Sequence, residues 1–529
     1  MNQTGLIGFF LFLTLVAVIS IFKTRKVKLN TTAAYFMGNR SLGFWMVGTS
    51  LFLTNISCNQ FIGENEFVYT NDMSVMAWGM SSILAMLIVA EFFLPVYLKM
   101  GAVTTPDFLE QRFGKGMKRI VSLIFLASYL VSLIPTVLYG SAVALNGIFH
   151  IDTALGISYF SAIWILVVLV GIIGCCYTVL GGLRAITVSD LVQGLGMLIG
   201  GFLLLWFSLQ YLGDGSVLHG IEKITGSEKE HLNAIGGAND PIPFGTLFTG
   251  MFLINLYYWG MEQYIVQQVL ASKSLSQGQK GISLACVGKL ISPLLLNVPG
   301  LIAVHLYPDI TNTATVFPKL VSDVLPSLLT GFMAAIVFGA AISTFNAGLN
   351  SSGTLFIMNL YKPWRKAAAS DKELVRTGRI FQVTITVLAM CFSPFILYFD
   401  GGFYHYIQKI SSFFSVPVFT VMIIGLLTKR VPELAAKVGL VFFIVMYGIS
   451  QFVVDTGLNY LHVLAILFAV SVMLMLLIGK LRPMPVAYVA KNMAVVNMRP
   501  WRARYWFFAA LLVLMAGMFL LFSEYGLAA

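Results

Sequence analysis

The sequence predicts an all-α polytopic membrane protein, and three observations carry that reading. Of 529 residues, 58% are apolar and only 10% carry a formal charge, against roughly 45–50% and 25% in soluble domains. The apolar residues fall in runs long enough to cross a hydrocarbon core of about 30 Å. The charged residues collect between those runs. So few charges cannot cover a water-exposed surface, which excludes a soluble enzyme, a nucleic-acid binder and a disordered scaffold.

Fourteen spans are expected, at about 4–22, 43–63, 74–98, 119–144, 156–178, 188–211, 244–270, 281–306, 324–359, 380–399, 404–427, 434–454, 459–479 and 505–523. The first lacks a basic leader and a small-residue cleavage site and is followed by Lys23, Arg25, Lys26 and Lys28. It therefore reads as a retained helix. Alternate loops then hold 28 of the 33 basic residues, in the stretches 23–40, 99–119, 184, 273–280, 362–379, 429–437 and 480–504. That bias places these loops in the cytoplasm and both termini outside. It also explains the net charge of +11 without a nucleic-acid partner. The longest outer loop, about 212–243, is expected to cap the outer face. No loop is large enough for an attached motor domain, so the work is expected to come from a gradient. The five cysteines lie in apolar stretches without metal-site or disulfide spacing and read as packing residues.

Polar residues at membrane depth are costly and point to function. The second span is interrupted by Thr54-Asn55-Ile56-Ser57-Cys58-Asn59-Gln60 and Gly63-Glu64-Asn65-Glu66. The seventh is interrupted around Asn255-Leu256-Tyr257-Tyr258-Trp259-Gly260, Glu262-Gln263 and Gln267-Gln268. Interrupted helices at corresponding places in two halves mark the midplane site of a secondary transporter, because unwinding frees carbonyls that a desolvated Na⁺ can satisfy. Ser343 and Thr344 of the ninth span either complete such a site or bond back to carbonyls one turn earlier. Lys289 lies mid-span and either points into a polar cavity or snorkels. Gln408 either reaches that cavity or satisfies a neighbouring helix. Asp190 reads equally as a helix cap or an ion-path carboxylate.

These residues also carry a resemblance. Gly-Asn-Arg-Ser-Leu-Gly at 38–43, Asn55-Ile56-Ser57, Gln60-Phe61-Ile62-Gly63 and Thr105-Pro106-Asp107-Phe108-Leu109-Glu110-Gln111-Arg112-Phe113 resemble the sodium/solute symporter family. So do Gly181-Gly182-Leu183-Arg184-Ala185 with Asp190, and Asn255 to Gly260. The run QYIVQQVLASKSLSQGQKG at 263–281 is similar to the branch of sodium–glucose and sodium–galactose cotransporters. The resemblance spans about residues 30–430.

It implies one transporter domain over 1–529 with a LeuT-type five-plus-five inverted repeat. The first repeat would be 43–211 and the second 244–427, with peripheral helices at 4–22 and 434–523. It implies Na⁺ as coupling ion, held by the carbonyls of Leu53, Ile56 and Ala340 and the hydroxyls of Ser343 and Thr344. Solute contacts would fall on Gln60, Ser82, Asn255, Lys289 and Gln408. Tyr258, with Trp259 beside it, would close the pocket from inside, and Trp78 and Tyr404 would form the outer gate.

One position departs from the sugar-transporting branch. Gly79 stands where that branch has a sugar-contacting glutamate, and Glu64 stands at an apolar outer-gate position. Glu64 either supplies the carboxylate from the second span or pairs with a cation on another solute. The expected function is Na⁺-coupled import of a monosaccharide, polyol or sugar derivative through a membrane, taken to be a bacterial inner membrane. The alternatives are the same fold carrying an amino acid, carboxylate or nucleobase derivative, and a Na⁺- or solute-gated sensor without coupled transport. An enzyme is not expected, since no nucleophile–base pair or metal cluster is present. The partners implied are Na⁺, the solute and the bilayer; the sequence leaves the oligomeric state open.

Overall fold

Long apolar runs with no water to bond their main chains are satisfied only when each run closes its hydrogen bonds internally, and here they do so as helices. The structure, a computed structural model, describes residues 3–25, 29–365, 369–398, 402–454, 456–490, 492–493 and 495–529, with the side chains of 402–409 outside that set. The principal helices are α1 (Gln3–Thr24), α2 (Phe44–Asn55), α3 (Cys58–Thr70), α4 (Met73–Met100), α5 (Lys115–Phe149), α6 (Tyr159–Leu212), α7 (Gly250–Gly260) and α8 (Gln263–Leu270). They continue as α9 (Leu275–Leu306), α10 (Ser327–Trp364), α11 (Asp371–Tyr398), α12 (Gly402–Leu427), α13 (Glu433–Phe452), α14 (Tyr460–Leu481) and α15 (Arg504–Leu521).

Among the described residues, eleven helices are long and apolar enough to cross a membrane. The difference from fourteen has two physical sources. The spans expected at 43–63 and 244–270 are each broken, into α2 and α3 and into α7 and α8, so neither is one long helix. The spans expected at 156–178 and 188–211 join into α6, whose 54 residues would reach about 81 Å if straight. Gly182 turns α6 with φ 58° and ψ −173°. A Cβ at that position would lie 2.9 Å from the Tyr35 carbonyl oxygen, so glycine serves both the left-handed backbone and the close approach.

The centre of the bundle is α10, whose residues from Met333 to Leu355 are all buried. Its N-terminal turns meet α1 through glycines. A Cβ at Gly331 would fall 1.7 Å from the Gly5 carbonyl oxygen, and one at Gly8 2.3 Å from that of Leu328. Small residues at such a crossing bring two backbones together where the lipid offers no hydrophobic drive. The outlying α13, α14 and α15 instead expose Val441, Val445, Met473, Leu477, Val513 and Leu514, the apolar surface that a bilayer solvates.

The basic loops are joined to one another. Lys273 N donates to Leu42 O at 3.1 Å, Met493 N to Lys99 O at 2.8 Å, Leu275 N to Asn497 O at 3.0 Å and Met484 N to Arg430 O at 2.8 Å. They form one face of the molecule. On the other face the 212–243 segment packs over the end of α3, with a His231 Nδ1–Val68 O bond of 3.0 Å, and Ala234 N donates to Phe522 O at 2.7 Å.

Candidate functional site

The break between α2 and α3 is built by a capping box. The Ser57 amide turns away from the helix to donate to Gln60 Oε1 at 2.9 Å, while Gln60 N donates to Ser57 O at 3.1 Å. In an unbroken helix those two amides would serve the carbonyls of Leu53 and Ile56. Both carbonyls therefore lose their ordinary helical donors, in residues that are almost wholly buried.

Across from this break, the Thr344 hydroxyl donates to the Thr54 carbonyl at 2.8 Å and lies 3.3 Å from the Ala340 carbonyl. Ser343 Oγ lies 3.3 Å from Thr54 Oγ1. The Thr344 hydroxyl reaches both a carbonyl one turn earlier and one across the break. Thr54, Ala340, Ser343 and Thr344 thus meet in one buried cluster of carbonyl and hydroxyl oxygens, a donor chemistry that suits a small hard cation.

Asp190 sits beside this locus, and its reading as a helix cap is corrected. The second arm of α6 begins at Gly182, so Asp190 is two turns inside a helix and caps nothing. It is fully buried, accepts a hydrogen bond from the Ser50 hydroxyl through Oδ2 and lies next to Ser343. Its Oδ1 has no hydrogen-bond partner among the described residues.

Next to Thr344 opens a cavity of about 250 Å³. It brings together Gln60, Glu64, Trp78, Gly79, Ser82, Asn255, Tyr258, Trp259 and Lys289 from α3, α4, α7 and α9. Lys289 is 5% exposed, too enclosed to snorkel, and it faces the cavity. Asn255 Nδ2 donates to Ser81 Oγ at 2.9 Å. The Ser82 hydroxyl turns back to Gly79 O at 2.6 Å. Glu64 Oε2 accepts from Asn297 Nδ2 at 3.2 Å. Tyr258 and Trp259 meet edge to face, with centroids 5.3 Å apart. The side chains of Gln408 and Tyr404 lie outside the described residues.

Several lining residues were not singled out from sequence. Ser128, Ser132 and Thr136 of α5 enter the cavity, as do Ser411, Ser412 and Ser415 of α12. The first three recur every fourth residue, a helical-face signal that was available. Glu262, at the α7–α8 break, accepts from Tyr129 at 2.6 Å and from Tyr257 at 2.7 Å. Tyr264 N donates to the same Tyr129 oxygen at 3.2 Å, and the Tyr264 and Tyr258 hydroxyls are 3.0 Å apart. This tyrosine–glutamate floor lines the cavity. The π-turn at Tyr129–Leu133 re-aims α5 there, as such turns often do at functional sites.

A cluster of buried oxygens thus adjoins a polar cavity, and the comparisons with known proteins identify the family. The sodium:solute symporter family profile matches residues 35–442. The chain is 41% identical over 526 residues to the uncharacterized symporter YidK of Escherichia coli (strain K12), covering 99% of this chain and 92% of that one. It is 30% identical to the sodium/glucose cotransporter of Vibrio parahaemolyticus, covering 79% of each chain. It is also 30% identical to the mouse sodium/myo-inositol cotransporter 2, covering 85% of this chain and 69% of that one.

Among solved structures, a Na⁺-coupled sialic acid symporter in a substrate-bound outward-open state aligns with TM-score 0.79 at 19% identity, over 92% of this chain and 98% of that one. The nucleobase–cation symporter Mhp1 aligns with TM-score 0.57 at 15% identity, over 84% of this chain and 95% of that one. At these identities the structures speak to fold, which is that of an all-helical transporter with LeuT-like neighbours. The protein is a multi-pass integral membrane transporter, not an enzyme, and its coupling ion is Na⁺. The chain belongs to the sodium:solute symporter family.

Proposed function

We propose that this protein imports a small polyhydroxylated solute, a monosaccharide, polyol or sugar derivative, by Na⁺-driven alternating access. One observation carries the reading: the cavity lined by Gln60, Asn255 and buried Lys289 also contains Thr344, whose hydroxyl is tied to the broken α2–α3 segment. Ion and solute would then stabilise the same arrangement of α2, α3 and α10. The similarity to sodium/glucose and sodium/myo-inositol cotransporters supports a hydroxyl-rich solute.

In this reading Na⁺ binds the carbonyls of Leu53, Ile56 and Ala340 and the hydroxyls of Ser343 and Thr344, with Asp190 along the ion path. The solute binds Gln60, Ser82, Asn255, Lys289 and Gln408, with Glu64 as a further contact. Trp78 and Tyr404 close it from outside, and Tyr258 with Trp259 from inside. Counting the two arms of α6 separately, and each broken pair once, gives fourteen crossings. Residues 43–211 and 244–427 form the inverted repeat, flanked by 4–22 and 434–523. The joined basic loops support a cytoplasmic face, hence outward termini, in a bacterial inner membrane.

One Na⁺ moving through about 100 mV supplies ~2.3 kcal/mol, and a tenfold gradient adds ~1.4 kcal/mol. Together they support roughly 500-fold accumulation, so a single ion is sufficient for useful uptake. A second reading, an acidic or amino-acid solute on the same fold, is favoured by Gly79 and by the sialic acid symporter among the structural neighbours. A sensor that binds without coupled transport is the third. Uptake against a gradient separates the sensor from both symport readings: Na⁺-driven accumulation of a hexose or polyol supports the first, and of an acid or amino acid alone the second.

A further inference from the structure

The cavity contains one buried ammonium and one carboxylate that act on each other but do not pair. Lys289 and Glu64 both line it, and each lies within electrostatic range of the other. Yet no Lys289–Glu64 nitrogen–oxygen distance is within 4 Å. Glu64 is held back by Asn297, which donates to its Oε2 at 3.2 Å. The third charged side chain lining the cavity among the described residues, Glu262, has each carboxylate oxygen bonded to a tyrosine hydroxyl.

Two opposite charges out of water cost several kcal/mol each unless something bridges them. An anionic solute would neutralise Lys289 and leave Glu64 facing a second negative charge, and a cationic one would do the converse. We infer that Glu64 and Lys289 form a charge-balanced frame that selects a solute of no net charge, with an acceptor toward Lys289 and a donor toward Glu64. Glu64 is then a specificity-determining residue of the transport site. The inference rests on the symport reading only for the identity of the cavity. Both a neutral sugar and a zwitterion carry this chemistry.

The geometry also supplies a charge relocation. A Cβ at Gly79 would meet only Ser292 Oγ, at 3.5 Å, an ordinary contact. A glutamate there would enter the same cavity from α4 instead of α3. The test is equilibrium binding to the full-length protein in Na⁺, without a gradient, using galactose, galacturonate, galactosamine and proline. Wild type is expected to bind galactose or proline at least about tenfold more tightly than either charged hexose. Galactose as the winner marks a polyol site, and proline a zwitterion site.

Glu64→Gln is expected to shift preference toward galacturonate by about tenfold or more, and Lys289→Gln toward galactosamine. The double variant Glu64→Gln with Gly79→Glu is expected to restore preference for the neutral probe, which keeps the test valid if Glu64→Gln alone folds poorly. Three results overturn the inference: a charged probe binding wild type as well as the neutral ones, no probe binding, or substitutions that scale all four probes alike. An intact charge ranking without Na⁺-driven uptake would instead remove the symport reading and leave the frame.

Discussion

The Thr344 hydroxyl donates to the Thr54 carbonyl at 2.8 Å, joining α10 to the last turn of α2. The contact spans 290 positions of sequence, and it exists because the capping box at Ser57 and Gln60 ends α2 there. In an unbroken helix the Thr54 carbonyl would be committed to the amide four residues on. In the proposed reading, a cation at this locus would replace the hydroxyl's proton as the partner of those oxygens and so couple ion occupancy to the distance between α2 and α10.

In that reading, removing both hydroxyls acts on the ion. Ser343→Ala with Thr344→Ala is expected to abolish Na⁺ dependence while the protein stays folded, because the lost contacts, at about 1 kcal/mol each, are small against the packing of α10. Uptake measured across a Na⁺ titration checks this. Undiminished Na⁺-driven uptake in the double variant would sink the site assignment.

Lys289→Ala is expected to raise the half-saturation concentration for solute by roughly ten- to a hundredfold, the effect of losing a charged hydrogen-bond donor worth about 1.5–3 kcal/mol. Initial-rate uptake at saturating Na⁺ is the readout. An unchanged half-saturation concentration would mean that Lys289 is a packing residue.

Tyr129→Phe is expected to destabilise the protein by about 1–3 kcal/mol, since it leaves a Glu262 oxygen and the Tyr264 amide without their shared partner inside the bundle. Tyr257→Phe should act in the same direction with the smaller loss of one bond. Denaturation in detergent measures both. Wild-type stability in Tyr129→Phe would show that the floor is not held by these bonds.

Much of this site was legible in the sequence, and the reasons differ by residue. The broken spans were legible because Asn55, Ser57 and Gln60 have no place on a lipid-facing helix. Lys289 was legible because a charge at that depth needs a cavity. Ser128, Ser132 and Thr136 were obscured by a local alternative, since hydroxyls in membrane helices commonly bond back one turn, as Thr136 does to Ser132 O at 2.8 Å. The Glu262–Tyr129 bond joins positions 133 residues apart, and no local pattern encodes such a pairing. Two spans with a turn were expected around residues 179–187; a single left-handed residue, Gly182, makes the turn while helix continues on both sides.

The α1–α10 crossing gives a matched pair of glycine variants. Gly331→Ala must push the helices apart, because its Cβ would fall 1.7 Å from the Gly5 carbonyl oxygen, and a loss of about 1–3 kcal/mol is expected. Gly517→Ala on α15 meets nothing within 4 Å and is expected to be neutral or slightly stabilising. Equal melting temperatures for the two variants would contradict the crossing.

The most direct test of Na⁺-coupled sugar or polyol import is uptake into proteoliposomes with an inward Na⁺ gradient, using labelled galactose, glucose, inositol, sialic acid and proline. The account predicts accumulation of a hexose or polyol above its outside concentration, lost when Na⁺ is replaced by K⁺ or the gradient is collapsed. Accumulation of only sialic acid would contradict the hexose or polyol prediction, accumulation of only proline the sugar assignment as a whole, and binding without accumulation of any solute symport itself.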